Sequence, residues 1–365
     1  MLGPLGGAGG AGGAGFLGGA GGAGGAGGAG GAGGAGGAGG AGGAGSYGNP
    51  LTAEALIRNR DGIAGAWTPS TFPSWKSPKK DSLKSLEPWV RANLYDFDLL
   101  SSVNFSVSGR TATLKTTETA PQDVFTVDAA AIDAAFILAQ VELVNTYSEL
   151  REDRAAEISS QLSYPFAFWS SIANIHPGRH PKTFEFLEAA MRFATAVHMK
   201  FKDALDIPRP VEVEAQVQPM ILTPGHRSLP SGHATEAYMT AVLLLEILKL
   251  SLPSAPPIPP SPDGITKQLQ RQAARIAINR TVAGVHFPMD SIAGRELGTA
   301  LARYFLSMCD SATPRKFESR SYAPVSGDKS LDFNWATFLS ESLTLTVTAP
   351  VSLKWLWGQV IAEWN

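Results

Sequence analysis

The sequence lacks several features that would point to particular protein classes. Its one cysteine, Cys309, excludes an intrachain disulfide and fits a reducing compartment. Its net charge is only -2, so bulk electrostatics give no reason to expect nucleic-acid binding. No apolar run reaches the roughly 18 residues that span a bilayer, since Glu246 and Lys249 interrupt the best candidate, 237–252. The N-terminus also lacks the basic start and apolar core of a signal peptide, so we expect a soluble, cytoplasmic protein.

Glycine is scarce except at the N-terminus. The first 45 residues hold 27 of the 40 glycines, nearly all in Gly-Gly-Ala repeats. The repeats have almost no apolar side chains to bury, and glycine loses much backbone entropy on ordering. The proline that stiffens collagen is missing from the triplets. We therefore predict that residues 1–48 form a disordered tail.

The next segment, 49–127, is predicted to be irregular apart from one β-hairpin. Apolar residues alternate with polar ones on both sides of the turn sequence 108–110, as expected for paired strands. The alternating apolar positions are Val103, Phe105, Val107, Ala112 and Leu114.

From Asp128 onward the apolar spacing becomes helical. Asp128 is predicted to cap a helix over 129–151. Further helices are predicted near 155–162, over 181–205, after Ser231, over 265–283 and over 288–309. The fold class predicted is mainly α, with a helical bundle over 128–310 and a C-terminal extension, 311–365, packed on it.

The first segment with chemical potential, 202–210, is named here the lysine–arginine segment. It places Lys202 seven residues before Arg209-Pro210. Proline ends a helix, so Arg209 is expected at a helix end or in the following loop. Taken alone, a lysine and an arginine at a helix end are usually solvated charges.

The second segment, Pro230-Ser231-Gly232-His233, is named the serine–histidine segment. Glycine allows close approach of a ligand to the backbone, and the N-terminus of the following helix favours an anion. Ser231 adds a hydroxyl donor, and His233 is a candidate acid or base. A capped helix start with a nearby surface histidine is the alternative.

The third segment, 280–290, is named the arginine–histidine segment. Asp290 follows His286 by about one helical turn, so its carboxylate can accept the Nδ1 hydrogen of His286. The Nε2 atom of His286 is then the nucleophile or the ligand of a metal oxyanion. Arg280 adds a planar, permanently charged donor suited to oxyanions.

The three segments together, in this order, resemble the signature of the superfamily that unites vanadium haloperoxidases with type 2 phosphatidic acid phosphatases. The matching patterns are Lys-x6-Arg-Pro, Pro-Ser-Gly-His and Arg-x5-His-x3-Asp, which cover 202–290. Many fixed identities at fixed local spacing make this resemblance specific. It implies a helical bundle of that superfamily's type.

The resemblance also implies roles for the segment residues. An oxyanion, vanadate or phosphate, would be bound by cations and by hydroxyl and amide donors. These residues are Lys202, Arg209, Ser231, Gly232 and Arg280. His286 would bind vanadium axially or attack phosphorus, His233 would transfer a proton, and Asp290 would orient His286.

The motifs are shared by both branches of the superfamily, so other features bear on the reaction. His226 stands where vanadium bromoperoxidases place a histidine beside the vanadate, which favours a haloperoxidase. In that role His226 would contact the halide or the residues that hold the vanadate. Two departures count against it: Met199 replaces a common tryptophan, and Asn279 replaces a common serine. His176 and His180 have no partner at metal-ligand spacing and are interpreted as structural. His198 is also interpreted as structural, although its position near the end of the helix that carries Lys202 would let it face the site.

We therefore expect a vanadate-dependent enzyme that oxidises halide with hydrogen peroxide to hypohalous acid, without redox change at vanadium. The first alternative is a soluble acid phosphatase that cleaves a phosphate ester through a phosphohistidine and needs no cofactor. The second is a catalytically silent oxyanion-binding protein. A homo-oligomer is compatible with the sequence, whereas nucleic acid and a membrane-spanning segment are not expected.

Overall fold

The computed structural model describes residues 50–65, 82–251, 262–309, 319–324, 331–334, 347 and 349–365. The predicted tail, 1–48, and the predicted boundary at 310 lie outside these ranges. The described residues up to Leu94 belong to one compact unit and those from Tyr95 to another. In the first, the Arg91 side chain donates to the carbonyl of Leu83 (3.3 Å) and so ties a 3-10 turn, Ser82–Ser85, to the helix that follows.

The described helices, numbered in chain order, confirm a mainly α protein. They are α1 Pro50–Ile63, α2 Pro88–Ser101, α3 Ala134–Tyr147, α4 Arg151–Ser160, α5 Phe166–Ala173, α6 Pro181–Leu205, α7 Pro210–Val213, α8 Gly232–Ser251, α9 Pro262–Val282, α10 Pro288–Ser307 and α11 Val351–Trp364. Within the described ranges, none of them is both long and apolar enough to cross a membrane.

The predicted hairpin is part of a larger sheet with the order β1-β2-β3-β4. The strands are β1 Val103–Ser108, β2 Thr111–Thr116, β3 Asp123–Asp128 and β4 Arg320–Tyr322. β2 pairs antiparallel with both β1 and β3, while β4 adds in parallel to β3. The sheet packs on α6, where Phe105 and Phe125 make edge-to-face contacts with Phe201 at centroid distances of 4.9 and 5.5 Å.

Two predictions for the N-terminal half were wrong. Asp128 does not cap a helix, because it ends strand β3 and pairs with Thr111. The cap lies at Asp133, whose carboxylate accepts from the backbone N–H of Phe136 at 2.7 Å. The described parts of the segment 49–127, namely 50–65 and 82–127, are also not irregular apart from a hairpin, since they contain α1 and α2, the hairpin strands β1 and β2, and most of β3.

The helices that carry the motifs pack around α8, which contacts α6, α9 and α10. The approach of α10 to α8 requires glycine at two positions one turn apart. A Cβ atom at Gly298 would lie 2.2 Å from the carbonyl oxygen of Thr235, and one at Gly294 would lie 2.7 Å from that of Ser231. The glycines therefore let the second and third turns of α10 lie directly against the start of α8.

Candidate active site

The three predicted segments meet around the first turn of α8. Lys202 lies in the last turn of α6, which ends at Asp206 in the left-handed conformation (φ 51°). Arg209 immediately precedes α7, and Ser231 immediately precedes α8. His286 lies in the short connection between α9 and α10. Residues that are up to 88 positions apart in the sequence are thus brought to one place.

Lys202 is 1% exposed and holds the loop between α7 and α8. Its ammonium donates to the carbonyl oxygens of Arg227 (3.1 Å), Ser228 (2.8 Å) and Pro230. An ammonium has three N–H donors, so these bonds use all of them. The structure therefore places Lys202 as a support of the loop that leads to Ser231.

Arg209 links the same loop to His286. Its Nε donates to the carbonyl of His226 (2.8 Å), and its Nη1 donates to the carbonyl of Val285 (2.6 Å) and to Nε2 of His286 (3.0 Å). Its Nη2 donates to Nδ1 of His226 (2.9 Å). The same Nδ1 also lies 3.2 Å from the carbonyl oxygen of Arg227, a contact that would need a proton on Nδ1. Because a guanidinium only donates and its contact is the shorter one, we assign Nδ1 as the acceptor, so that neutral His226 carries its proton on Nε2.

His286 and Asp290 form the predicted pair. The Nδ1 hydrogen of His286 is donated to Oδ2 of Asp290 at 2.9 Å. The same oxygen accepts from the backbone N–H of Phe287 (2.9 Å) and from the hydroxyl of Ser228 (2.5 Å). Three donors fix the carboxylate, which in turn fixes the tautomer of His286 and leaves its Nε2 with a lone pair.

The electrostatics of the pocket agree with this tautomer. Burial, together with the charges of Arg209 and Lys202, holds the pKa of His286 well below its ordinary value of 6.5. Burial raises the pKa of Asp290 to about 6, so at neutral pH the carboxylate is ionised and the imidazole neutral. Burial also lowers the pKa of Arg209 and of Arg280 to about 10. An anion in this pocket would offset the cost of burying these cations.

The start of α8 is shaped by Ser231, Gly232 and a buried histidine. The Ser231 hydroxyl accepts from the N–H of Ala234 (3.4 Å), which leaves its own proton to donate. A Cβ atom at Gly232 would lie 3.0 Å from the ring of His198, so any larger residue here would require that ring to shift by a few tenths of an ångström. His198 in turn donates from Nε2 to Glu236 at 3.4 Å, and its Nδ1 is buried without a partner among the described residues.

Arg280 and His233 are both held by the end of α4. Nη2 of Arg280 donates to Oε1 of Gln161 (3.1 Å) and to the carbonyl of Ile158 (3.3 Å). Nε and Nη1 of Arg280 are buried and have no hydrogen-bond partner among the described residues. Nε2 of His233 donates to the carbonyl of Gln161 (2.9 Å), and burial with the Arg280 charge lowers the pKa of His233 to about 4.

These groups enclose a cavity of about 20 Å³, close to the space that one water molecule occupies. Its wall includes predicted residues from the serine–histidine and arginine–histidine segments, and His226. These residues are Gly232, His233, Arg280, His286 and His226, together with the unpredicted His198 and Glu236. A second cavity, of about 680 Å³, is lined by Lys202 and Arg209 and shares His226 and Pro224 with the first. Ser231 and Asp290 are fully buried beside these walls.

Three contributors to the site were not predicted from the sequence: Ser228, Gln161 and Glu236. A serine or glutamine that bonds a motif residue across the fold carries no sequence signal of its own. Glu236 follows His233 by three residues, a spacing that places both on one face of a helix, and this spacing could have indicated that Glu236 lies near the site. His198, interpreted as structural, lines the small cavity, whereas His180 stacks on Trp364 at 4.7 Å, away from it.

Comparison with known families agrees with the three segments. The family model described as the PAP2 superfamily matches residues 186–313, which include every predicted oxyanion-binding and catalytic residue. No curated protein matches the chain. Most of α6, all of α8–α10 as described, the glycine contacts between α8 and α10, and the His286–Asp290 pair lie in the matched segment. Residues 186–313 are therefore similar to the PAP2 superfamily, whose members are typically phosphatases or haloperoxidases.

Proposed function

We propose that the protein is a vanadate-dependent haloperoxidase that oxidises halide with hydrogen peroxide to hypohalous acid. The observation that carries this proposal is the position of His226. Its Nδ1 accepts from Arg209, so its Nε2 carries a proton. That Nε2 is buried without a partner among the described residues, in the wall of the cavity that His286 also lines. A buried N–H donor beside the histidine ligand position suits an anion, either halide or vanadate.

The side chains around the cavity have the donors and the nitrogen lone pair that a vanadate ion would need. Nε and Nη1 of Arg280 are donors with no partner among the described residues. The lone pair on Nε2 of His286 accepts from Nη1 of Arg209, and a bound vanadate would take the place of that contact. Arg280, Gly232 and Ser231 would hold the oxygens, and His286 would bind the metal. Vanadate, when bound, supplies a Lewis acid that activates hydrogen peroxide toward halide without changing its own oxidation state.

The chain's own residues perform three tasks in this proposal. Asp290 keeps the proton of His286 on Nδ1, so Nε2 stays available. The carbonyl of Gln161 keeps the proton of His233 on Nε2, so Nδ1 is the nitrogen that exchanges a proton with a reactant. The small volume of the cavity excludes bulk water, which strengthens each of these interactions.

The same geometry favours one alternative, a phosphatase acting on phosphate esters. In that reaction Nε2 of His286 attacks phosphorus, the ester P–O bond breaks, and the leaving oxygen takes a proton from Nδ1 of His233 in its doubly protonated form. Water then cleaves the P–N bond and regenerates His286. The observation in favour is that His286 and His233 line one cavity with the unpartnered donors of Arg280.

The test begins with protein purified in phosphate-free buffer. Reconstituted with orthovanadate, it is assayed for peroxide-dependent oxidation of bromide and iodide; without vanadate, it is assayed for hydrolysis of an aryl phosphate. The proposal expects halide oxidation that requires vanadate, is abolished in His286→Ala and is strongly reduced in His226→Phe. His176→Ala, at an exposed position outside the cavity, is the matched histidine control and should keep full activity.

Other outcomes assign the alternatives. Ester hydrolysis that vanadate inhibits, without halide turnover, would identify the phosphatase. Binding of phosphate or vanadate with neither activity would identify a silent oxyanion-binding protein. Halide oxidation that survives in His286→Ala would contradict the haloperoxidase proposal at this site.

A further inference from the structure

The carboxyl end of α4 lies against two residues of the motifs. Gln161, the residue that follows α4, is fully buried, although glutamine is usually an exposed residue. It precedes the segment 186–313 that matches the PAP2 superfamily, so it is contributed by the flanking chain. A buried amide must satisfy its donors and acceptor, and the partners of Gln161 show what it holds.

The side chain of Gln161 fixes one arm of Arg280. Its Oε1 accepts from Nη2 of Arg280 (3.1 Å), and the carbonyl of Ile158 accepts from the same nitrogen (3.3 Å). A guanidinium is planar, so fixing Nη2 also fixes the direction of the other donors. The remaining donors, Nε and Nη1, are those without a partner among the described residues.

The backbone of Gln161 fixes His233. Its carbonyl oxygen accepts from Nε2 of His233 at 2.9 Å. Unpaired carbonyl groups concentrate at the C-terminus of a helix, where the helix dipole is negative. One residue at the end of α4 therefore orients both the cation and the proton-transferring histidine of the cavity.

The hydrogen bonds of Asn279 explain why an asparagine stands here in place of the serine that is common in the superfamily. Its Nδ2 donates to Oε1 of Gln161 (3.0 Å) and to Oε1 of Glu157 (2.9 Å), while its Oδ1 accepts from Arg154 (2.9 Å). A serine hydroxyl has one proton and could not make both donations. The asparagine thus completes a network that ties Gln161 to α4.

We propose that Gln161 is a positioning residue for oxyanion binding, which orients Arg280 so that Nε and Nη1 meet a tetrahedral oxyanion, with Asn279 securing Gln161. This inference rests on the proposed oxyanion site and adds a residue from outside the matched segment. It predicts that the Gln161 side chain sets oxyanion affinity, whereas its backbone carbonyl, which side-chain substitution leaves in place, sets the tautomer of His233.

The experiment is calorimetric titration of the full chain with inorganic phosphate and, separately, with orthovanadate. Gln161→Leu should weaken binding of both by about tenfold, since a hydrogen bond to a charged group is lost. Asn279→Ser should weaken it by about threefold, and it removes a donor to the same acceptor while leaving Gln161 in place, if Gln161→Leu does not fold. Gln140→Leu is the control, because Gln140 is equally buried but its side-chain partners among the described residues are the carbonyl of Leu331 and the backbone N–H of Met289.

A double-mutant cycle separates positioning from general destabilisation. In an Arg280→Lys background, which lacks the planar fork, Gln161→Leu should cause no further loss of phosphate affinity. Unchanged affinity in Gln161→Leu, or an equal loss in Gln140→Leu, would overturn the inference. If the unsubstituted protein binds neither phosphate nor vanadate, the proposed function fails instead, and that result is distinguishable from both.

Discussion

Replacing Arg280 by methionine should weaken anion binding and at the same time stabilise the protein. Arg280 is 1% exposed, and two of its nitrogens have no partner among the described residues. A buried cation without an anion is costly to the folded state. Methionine has a similar length, no charge and a flexible side chain that fills irregular space.

The magnitude follows from the pKa of Arg280. Burial lowers it from 12.5 to about 10, which corresponds to roughly 3 kcal/mol of cost for the charged form at neutral pH. Arg280→Met removes that cost but also the two bonds of Nη2, worth about 1 kcal/mol in total, since both are long. Gln161 keeps Asn279 as a donor. The net gain is therefore about 2 kcal/mol, or about 4 to 8 °C in melting temperature.

The assay is thermal unfolding with and without phosphate. At a phosphate concentration of about 100 times Kd, the unsubstituted protein should gain about 2.7 kcal/mol, and Arg280→Met should gain almost nothing. Arg303→Met, at a partly exposed arginine paired with Glu246, is the control and should keep the full response to phosphate. A lower melting temperature together with an undiminished phosphate response in Arg280→Met would refute the reasoning.

Three further predictions concern the same helices. Lys202→Met should destabilise by about 3 kcal/mol or more, in contrast to Arg280→Met, because it leaves three loop carbonyls without their donor; equal stability in denaturant unfolding would argue against the support role. Burial lowers the pKa of His233 to about 4, so as pH falls this residue is protonated in the unfolded chain before it is protonated in the folded one. The free energy of unfolding should therefore decrease by about 3 kcal/mol between pH 6.5 and pH 4. A pH series of melts checks this, with a shallower loss expected in His233→Gln. Gly298→Ala should destabilise, because the new Cβ would lie 2.2 Å from the carbonyl oxygen of Thr235, whereas Gly358→Ala, with nothing within 4 Å, should stabilise by about 1 kcal/mol; loss of stability in both would show that helix packing is not the cause.

Helix boundaries were predictable where the sequence marks them locally. Pro181 begins α6 and Pro288 begins α10, as their positions indicated, because proline suits the first turn and disrupts a helix interior. The predicted cap at Asp128 was wrong because an aspartate before apolar residues at helical spacing occurs in turns as well as at helix starts. Its partner across the sheet, Thr111, decided the conformation.

The sheet illustrates what local patterns omit. The alternation around Gly109 predicted β1 and β2, but not β3 or the parallel strand β4. Phe125 pairs with Arg320, which lies 195 residues away. No spacing rule within a short window can report such a pairing.

The sequence by itself determined which residues are candidates for the chemistry, because the superfamily's motifs are short and their internal spacing is fixed by a helix end, a capped turn and a helical turn. Only the tertiary structure decided how those residues are held. It directs Lys202 to the loop carbonyls, fixes Arg280 and His233 with Gln161, and leaves two nitrogens of Arg280 for an anion. The physical reason is that hydrogen-bond satisfaction of buried polar groups depends on neighbours in space, which the order of the chain does not specify.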